Sequence, residues 1–398
     1  MNLLARFAER VLWMSMSTAI FLPGQVAAQM QLEQATYIGG ADYDRAQGCA
    51  IDHDGFIYVA GNTRSRDLPT TPGAVQPAIG GDQDAFVAKF SPDLKQLVAL
   101  TYWGSSGEDR GYGVNVDVDG NIYLSGITKS DTFTTSPGAF DRSRDGFTDV
   151  FLTKFSPDLK TIHFSTLLGG SSASNLDSDW TRGGIQLDSQ NNIYITGRTA
   201  GPDFPVTTGA FATAYAGGQH DAYITKIKYD GSDLLWSTLV GGATGDESYY
   251  GNLVLHSDGS VYAAGYSNST DFPVTPGAFD LTLGRGGYNV YNGEGIVTHF
   301  NADGSSLIYS TYLWSAVSAN DGIAVDAGGR VHVASNVHVS QAGSVPVSGG
   351  VAQADYGGGR RDMAVAILSA DGARIERASF LGGRGNEEAS GIALDKSG

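Results

Sequence analysis

IYVAG at Ile57–Gly61 returns in altered form as IYLSG at Ile122–Gly126, IYITG at Ile193–Gly197, VYAAG at Val261–Gly265 and VHVAS at Val331–Ser335. Its second residue, in turn Tyr58, Tyr123, Tyr194, Tyr262 and His332, recurs at intervals of 65, 71, 68 and 70 residues. A fixed period of this size means stacked copies of one supersecondary unit, each unable to bury its apolar face alone.

Outward from Tyr58, the unit holds four short β-type runs. In the first copy they are run A, Cys49–Asp52; run B, Phe56–Ala60; run C, Ala85–Phe90; and run D, Gln96–Trp103. DHDG at Asp52–Gly55 and SPDL at Ser91–Leu94 are tight-turn signals joining A to B and C to D. The Asp-x-Asp-Gly wording at Asp52/Asp54 and Asp117/Asp119 reads as Asx-type hairpin turns rather than calcium loops. Four antiparallel strands per unit, repeated radially, is the propeller answer to exposed sheet edges. A β-helix needs a far shorter period, and a sandwich needs roughly seven strands per domain.

The expected fold is therefore all-β, a β-propeller of four-stranded antiparallel blades. Five complete blades are accompanied by partial strands of a sixth, a D-type run at Thr36–Gly39 and an A-type run at Gly391–Asp395. Every earlier turn of this type leads into a run B, so the sequence predicts that the native protein continues past Gly398.

In such a meander the A–B and C–D turns share one face, and the long B–C segment and the D–A crossover share the other. Asn62–Gln83 is 22 residues long. Long loops without structure of their own are disproportionately functional, which makes the B–C/D–A face the expected recognition face.

The most specific wording lies in that segment. It reads DLPTTPGAV at Asp67–Val75, TFTTSPGAF at Thr132–Phe140, DFPVTTGAF at Asp203–Phe211 and DFPVTPGAF at Asp271–Phe279, decaying to VPVSGGV at Val345–Val351. Together with STYL at Ser310–Leu313, TLLGG at Thr166–Gly170 and GGQHDAYITK at Gly217–Lys226, it closely resembles the bacterial SBBP-type β-propeller repeat over residues 36–398. The resemblance implies exported or cell-surface propeller proteins and carries no established reaction, cofactor or catalytic residue.

The amino terminus supports export. Arg6 and Arg10 precede the apolar run Val11–Leu22, and Val26–Ala28 supplies small residues. This is the layout of a signal peptide over residues 1–28, cleaved near Ala28, with the propeller filling 29–398. The run is too short to span a bilayer, so no membrane insertion is expected after cleavage. A net charge of −17 disfavours nucleic acid and anionic lipid. The single cysteine, Cys49, excludes an intrachain disulfide and reads as a buried small hydrophobe. A secreted, periplasmic or cell-surface monomer is expected.

Candidate site residues follow from position. Acidic pairs recur beside the D–A crossover at Asp42/Asp44, Glu108/Asp109, Asp177/Asp179, Asp246/Glu247 and Glu387/Glu388. Asp44, Asp109, Asp179 and Asp246 are thus weak calcium candidates, since calcium takes six to eight oxygens; solvated loop acids pairing with Arg45 and Arg110 are the plainer reading. The seven histidines match no zinc motif. Asp67, Phe133, Asp203, Phe204, Asp271 and Phe272 are the binding-loop candidates, with loop packing as the alternative. Lys89, Lys154 and Lys226 hold equivalent places in run C, read as snorkelling lysines at a seam between blades.

No catalytic motif is present. The expected function is a non-enzymatic scaffold binding an extracellular protein or glycan through the long-loop face. The alternative is a polysaccharide hydrolase or lyase with an acid pair at the channel mouth and sugars stacked on Trp180, Trp236, Trp314 or the Tyr288/Tyr291 loop.

Overall fold

A computed structural model describes residues 34–171, 179–181, 184–247, 253–284, 293–315, 320–389 and 391–395. The expected signal peptide, Asp177, the Tyr288/Tyr291 loop and residues 396–398 lie outside the described residues. The chain divides into Met1–Tyr37 and Ile38–Gly398. Of the first, residues 34–37 are described and carry no secondary structure.

The second unit is built from five antiparallel sheets. The first has strands β1 (Asp44–Ile51), β2 (Ile57–Thr63), β3 (Asp84–Phe90) and β4 (Leu97–Trp103) in that spatial order. The second repeats it with β5 (Asp109–Val116), β6 (Ile122–Thr128), β7 (Asp149–Phe155) and β8 (Ile162–Leu168). In the third, the first strand comes in two pieces, β9 (Asp179–Trp180) and β10 (Ile185–Leu187), followed by β11 (Ile193–Thr199), β12 (Asp221–Ile227) and β13 (Leu234–Val240). The fourth does likewise with β14 (Asp246–Glu247) and β15 (Leu253–Leu255), then β16 (Val261–Ser267), β17 (Glu294–Phe300) and β18 (Leu307–Ser315). The fifth has β19 (Asn320–Val325), β20 (Val331–His338), β21 (Arg361–Leu368) and β22 (Ile375–Leu381).

Sheet order follows chain order, as the two tight turns and one long loop per unit require. Each Asx turn forms as expected: Asp117 Oδ1 accepts from Asp119 N at 3.1 Å and Asn121 N at 2.9 Å, and Asp52 and Asp188 do the same. First strands touch in succession, β1 to β5, β5 to β10, β10 to β15 and β15 to β19. Apolar clusters form between consecutive sheets. One joins Tyr58, Val87 and Trp103 of the first to Leu124, Phe151 and Leu167 of the second; others join the second to the third, the third to the fourth and the fourth to the fifth. Each large side chain buried there contributes about 1.5–3 kcal/mol, so these clusters bind each blade to its neighbours.

Two expectations change. Thr36–Gly39 and Gly391–Asp395 take no strand structure. The backbone of Gly391 and Ile392 does lie against Gly322 of β19. Cys49 is exposed rather than buried. It sits on β1, where neighbouring Ile51 is also 67% exposed, because no sheet covers that side of the first blade among the described residues. Lys89, Lys154 and Lys226 lie across the strand pair from Tyr58, Tyr123 and Tyr194, whose rings belong to the apolar clusters between consecutive blades.

Candidate binding site at the long-loop end of the inner strands

The long B–C segment does not stand free on its face. It turns back along the outside of the fourth strand, where Thr71 N donates to Leu100 O at 3.2 Å and Tyr102 N to Gln76 O at 3.1 Å. The same pair of bonds recurs as Ser136–Ser165 with Leu167–Asp141, Thr207–Ser237 with Leu239–Ala212, Thr275–Ser310 with Tyr312–Asp280, and Ser348–Ala378 with Phe380–Gln353. The diverged fifth copy therefore keeps the strap. An outer edge that would template aggregation is covered in every blade. Gly73, Gly138, Gly209, Gly277 and Gly350 all have positive φ at the strap's bend.

From this bend the chain crosses to the next blade. Val75, Phe140, Phe211 and Phe279 each donate a backbone N–H to the C–D turn that follows, at Leu159, Gly231, Gly304 and Gly372, over 2.8–2.9 Å. The binding-loop candidates serve the same construction. Phe133 stacks on Phe151 at 4.9 Å and Phe204 on Tyr223 at 4.5 Å, while Phe272 lies 6.0 Å from Tyr312. All three rings are buried. Asp67 accepts from Ala41 N, Asp203 from Ser171 Oγ and Asp271 from Ala243 N, tying each loop to the neighbouring D–A crossover. A ligand approaching this face meets other residues.

The calcium candidates begin the first strands and are similarly engaged. Asp44 accepts from Thr63 Oγ1, Ser65 Oγ and Gly40 N. Asp109 takes Ser105 N at 2.6 Å and Ser130 Oγ at 2.8 Å. Asp179 takes Gly170 N at 2.9 Å, and Asp246 takes Gly242 N at 2.6 Å together with Ser267 and Ser269. Among the described residues no three His, Cys, Asp or Glu side chains group so as to hold a metal ion.

A second acid, invisible in the expected runs, stands at the head of each third strand, as first residue in Asp84, Asp149, Asp221 and Glu294 and as second in Asp362, all buried. Burial, reinforced by a neighbouring carboxylate, raises Asp84 to about 6 and Asp221 to about 7. Asp149 and Asp246 are raised to about 6 and Asp179 to about 8 for the same first reason. The signal was present in the sequence, since each of these acids stands five residues before the lysine position of run C.

A cavity of about 380 Å³ opens at the long-loop end of the inner strands. Tyr43, Arg45 and Gln47 reach it from the entry and body of β1, and Asn62 and Arg64 from the end of β2. Gln83, Arg110, Tyr112 and Trp180 complete the wall, the last three from the first strands of the second and third blades. Arg64 N donates to Tyr43 O at 2.8 Å, and Arg45 lies opposite Asn62 in the β1–β2 ladder. Trp180 is buried, with Tyr112 5.7 Å away and the guanidiniums of Arg110 and Arg198 5.9 and 5.6 Å from its ring. Arg110 is paired with Glu108, which also binds Lys129 at 3.0 Å. Arg45, expected to pair with a loop acid, does not: among the described residues the guanidiniums of Arg45 and Arg64 face no carboxylate partner. Trp236 and Trp314 are buried with their indole N–H groups bound to Ala302 O and Ser335 Oγ.

No curated protein matches the chain. Among solved structures it is similar to a protein of unknown function from Dyadobacter fermentans, at 11% identity over 86% of this chain and 85% of that one, TM-score 0.42. It is also similar to the NanB sialidase of Streptococcus pneumoniae, at 9% identity over 88% of this chain and 63% of that one, TM-score 0.44. A third is the acylaminoacyl peptidase of Pyrococcus horikoshii, at 9% identity over 84% of this chain and 39% of that one, TM-score 0.37. Likeness at this level carries nothing about function. Residues 35–69 match the SBBP beta-propeller repeat, from the approach to β1 through the start of the strap. The chain carries this SBBP repeat within a fold of five successive four-stranded antiparallel blades.

Proposed function

We propose that the protein is an exported, non-enzymatic scaffold that binds an extracellular glycan or protein at the long-loop end of its inner strands. One observation carries the reading. The loop phrases are used in packing, whereas the cavity beside them carries the exposed side chains of Tyr43, Arg45 and Arg64, and the two guanidiniums face no carboxylate among the described residues. A concave site with a few convergent polar groups is the usual form of a small-ligand pocket. The signal-like amino terminus supports export, and no helix among the described residues is long and apolar enough to cross a membrane.

The hydrolase or lyase alternative needs an acid pair placed once. The paired carboxylates here, such as Asp84 with Asp109 and Asp221 with Asp246, recur from blade to blade and are buried. A reaction centre breaks repeat symmetry instead of following it. The deciding experiment screens the full chain against secreted polysaccharides and proteins and follows turnover in the same samples. Binding without product release is expected; product release from any of them would replace the scaffold by the enzyme.

A further inference from the structure

We infer that copies of this chain associate head to tail rather than staying single, the outward face of the fifth blade docking on the outward face of the first. At each interior seam one blade offers the face that carries its recurrent Tyr, and the next blade offers its other face. The two terminal blades each keep one half of such a seam, uncovered among the described residues. On the first blade Cys49 is exposed, where Val114, Ile185, Leu253 and Ile323 hold the same register position and are buried. Ile51, two residues on, is 67% exposed, and Ile57 and Val59 beside it are only half-buried. On the fifth blade Leu381 is 38% exposed, where Trp103, Leu168 and Val240 are buried. Val365 is half-buried, where Val87, Leu152, Ile224 and Val297 are fully buried. Exposed apolar positions gathered on one sheet face mark an interaction surface.

A hydrogen bond marks the same two halves. Val75, Phe140, Phe211 and Phe279 carry their straps across the interior seams by donating to Leu159, Gly231, Gly304 and Gly372. The next donor in that series is Ala352 N–H, two residues past the bend at Gly350. The acceptor that heads it is Leu94 O, in the first blade's C–D turn. Neither has a partner among the described residues. One molecule thus holds both halves of a fifth seam bond and leaves it unmade. Both halves belong to this one chain, so the partner that fits is a second copy of it. Its Cys49, Ile51, Ile57 and Val59 then cover Val365, Ile367 and Leu381, as the interior seams cover their equivalents. Gly391 and Ile392 lie on Gly322 without entering a ladder, and give way to β1 of the incoming copy. The contact joins two different patches, so it is heterologous and leaves one free face at each end of the assembly.

The test is sedimentation velocity of the full chain over a roughly hundredfold range of concentration, with the sedimentation coefficient expected to rise by mass action. Ile51→Lys blocks the first face and Leu381→Lys the second. Each alone is expected to weaken association about tenfold or more, because an unpaired ammonium is costly to bury. Both positions are exposed, so the melting temperature at the lowest concentration is expected to stay unchanged. Mixing separates this contact from general stickiness. Each variant keeps one intact face and the two are complementary, so an equimolar mixture is expected to form 1:1 dimers and grow no further. In that mixture Cys49 of the Leu381→Lys partner is expected to react with a maleimide about tenfold more slowly or less, while Cys49 of the Ile51→Lys partner keeps its rate. A chain that stays monomeric, association that survives both substitutions, or a mixture without dimers would each overturn the inference. A monomer whose Cys49 resists the maleimide would overturn it in favour of a segment of the same chain lying over that face.

Discussion

Tyr123 and Lys154 face each other across β6 and β7, the ammonium 4.8 Å from the ring centroid. Both reach the same acceptor: Lys154 Nζ lies 3.0 Å and the Tyr123 hydroxyl 3.1 Å from Asp117 Oδ2. The other oxygen of Asp117 closes the Asx turn, so one carboxylate joins turn, second strand and third strand. In the third blade Lys226 likewise reaches Asp188 at 3.0 Å and lies 4.9 Å over the Tyr194 ring. In the first, Lys89 lies over the rings of Phe56 and Tyr58 while Tyr58 alone holds Asp52. Removing one partner of a buried pair strands the other charge. Asp117→Ala is therefore expected to cost about 3 kcal/mol, and Lys89→Met no more than about 1 kcal/mol, the scale of a cation–π contact. Urea unfolding of the two variants checks the difference.

Phe204 fills the space between its loop and Tyr223, and is 3% exposed. Truncation to alanine is expected to cost about 3–5 kcal/mol. If the ring instead served a ligand, Phe204→Ala would abolish binding in a protein of unchanged stability. Denaturant midpoint and ligand titration, measured on the same preparation, separate these outcomes.

The blade was legible because its signals are local. Period-two strands, Asp-x-x-Gly turns and the recurring Tyr fix four strands per unit before any contact is known. The strap was not legible, because it depends on hydrogen bonds between Thr71 and Leu100, 29 residues apart, and between Val75 and a turn in the next blade. The phrase was visible in the sequence, but the direction of its phenylalanines was not. The fate of the histidines was hidden for the same reason. His256 replaces the turn aspartate and His299 the lysine, and the His299 ring stacks on Tyr262 at 3.7 Å. Burial holds His299 down to about 4, so its ring is neutral near pH 7. The cavity draws Arg45, Arg110 and Trp180 from three blades, and no single repeat contains it.

Gly120 and Asn191 occupy the same place in successive A–B turns, at φ of 80° and 61°. A Cβ on Gly120 would meet Pro157 only at ordinary contact distance, 3.5 Å, so substitution there probes backbone strain rather than crowding. Gly120→Ala is expected to cost about 1–2 kcal/mol, the penalty of the left-handed region for an L-residue. Asn191→Gly relieves that strain but loosens the unfolded chain, and is expected to change stability by less than about 1 kcal/mol. Paired thermal melts test both.

The buried acids set the pH dependence. Asp84, Asp149, Asp179, Asp221 and Asp246 have folded-state values of about 6 to 8, chiefly from burial, against an ordinary value of 3.8. Between those limits the folded chain binds more protons than the unfolded one, so their contribution to stability falls as pH rises from about 4 to 8. Asp117 and Asp188 act oppositely. Burial opposes ionisation, but hydrogen bonds from the turn asparagines and from Lys154 or Lys226 outweigh it and lower both values. Their contribution is present above 3.8 and is lost as pH falls below it. The melting temperature is thus expected to rise from pH 8 to about pH 5 and to fall again below about pH 4. Asp179→Asn keeps an oxygen for Gly170 N–H but never ionises, and is expected to flatten the slope between pH 6 and 8. Calcium held by Asp109, Asp179 or Asp246 would require ionised carboxylates and reverse that slope. A melting temperature that climbs with pH from 5 to 8, and drops on chelation, would therefore show these acids to be ligands instead of protonated blade fastenings.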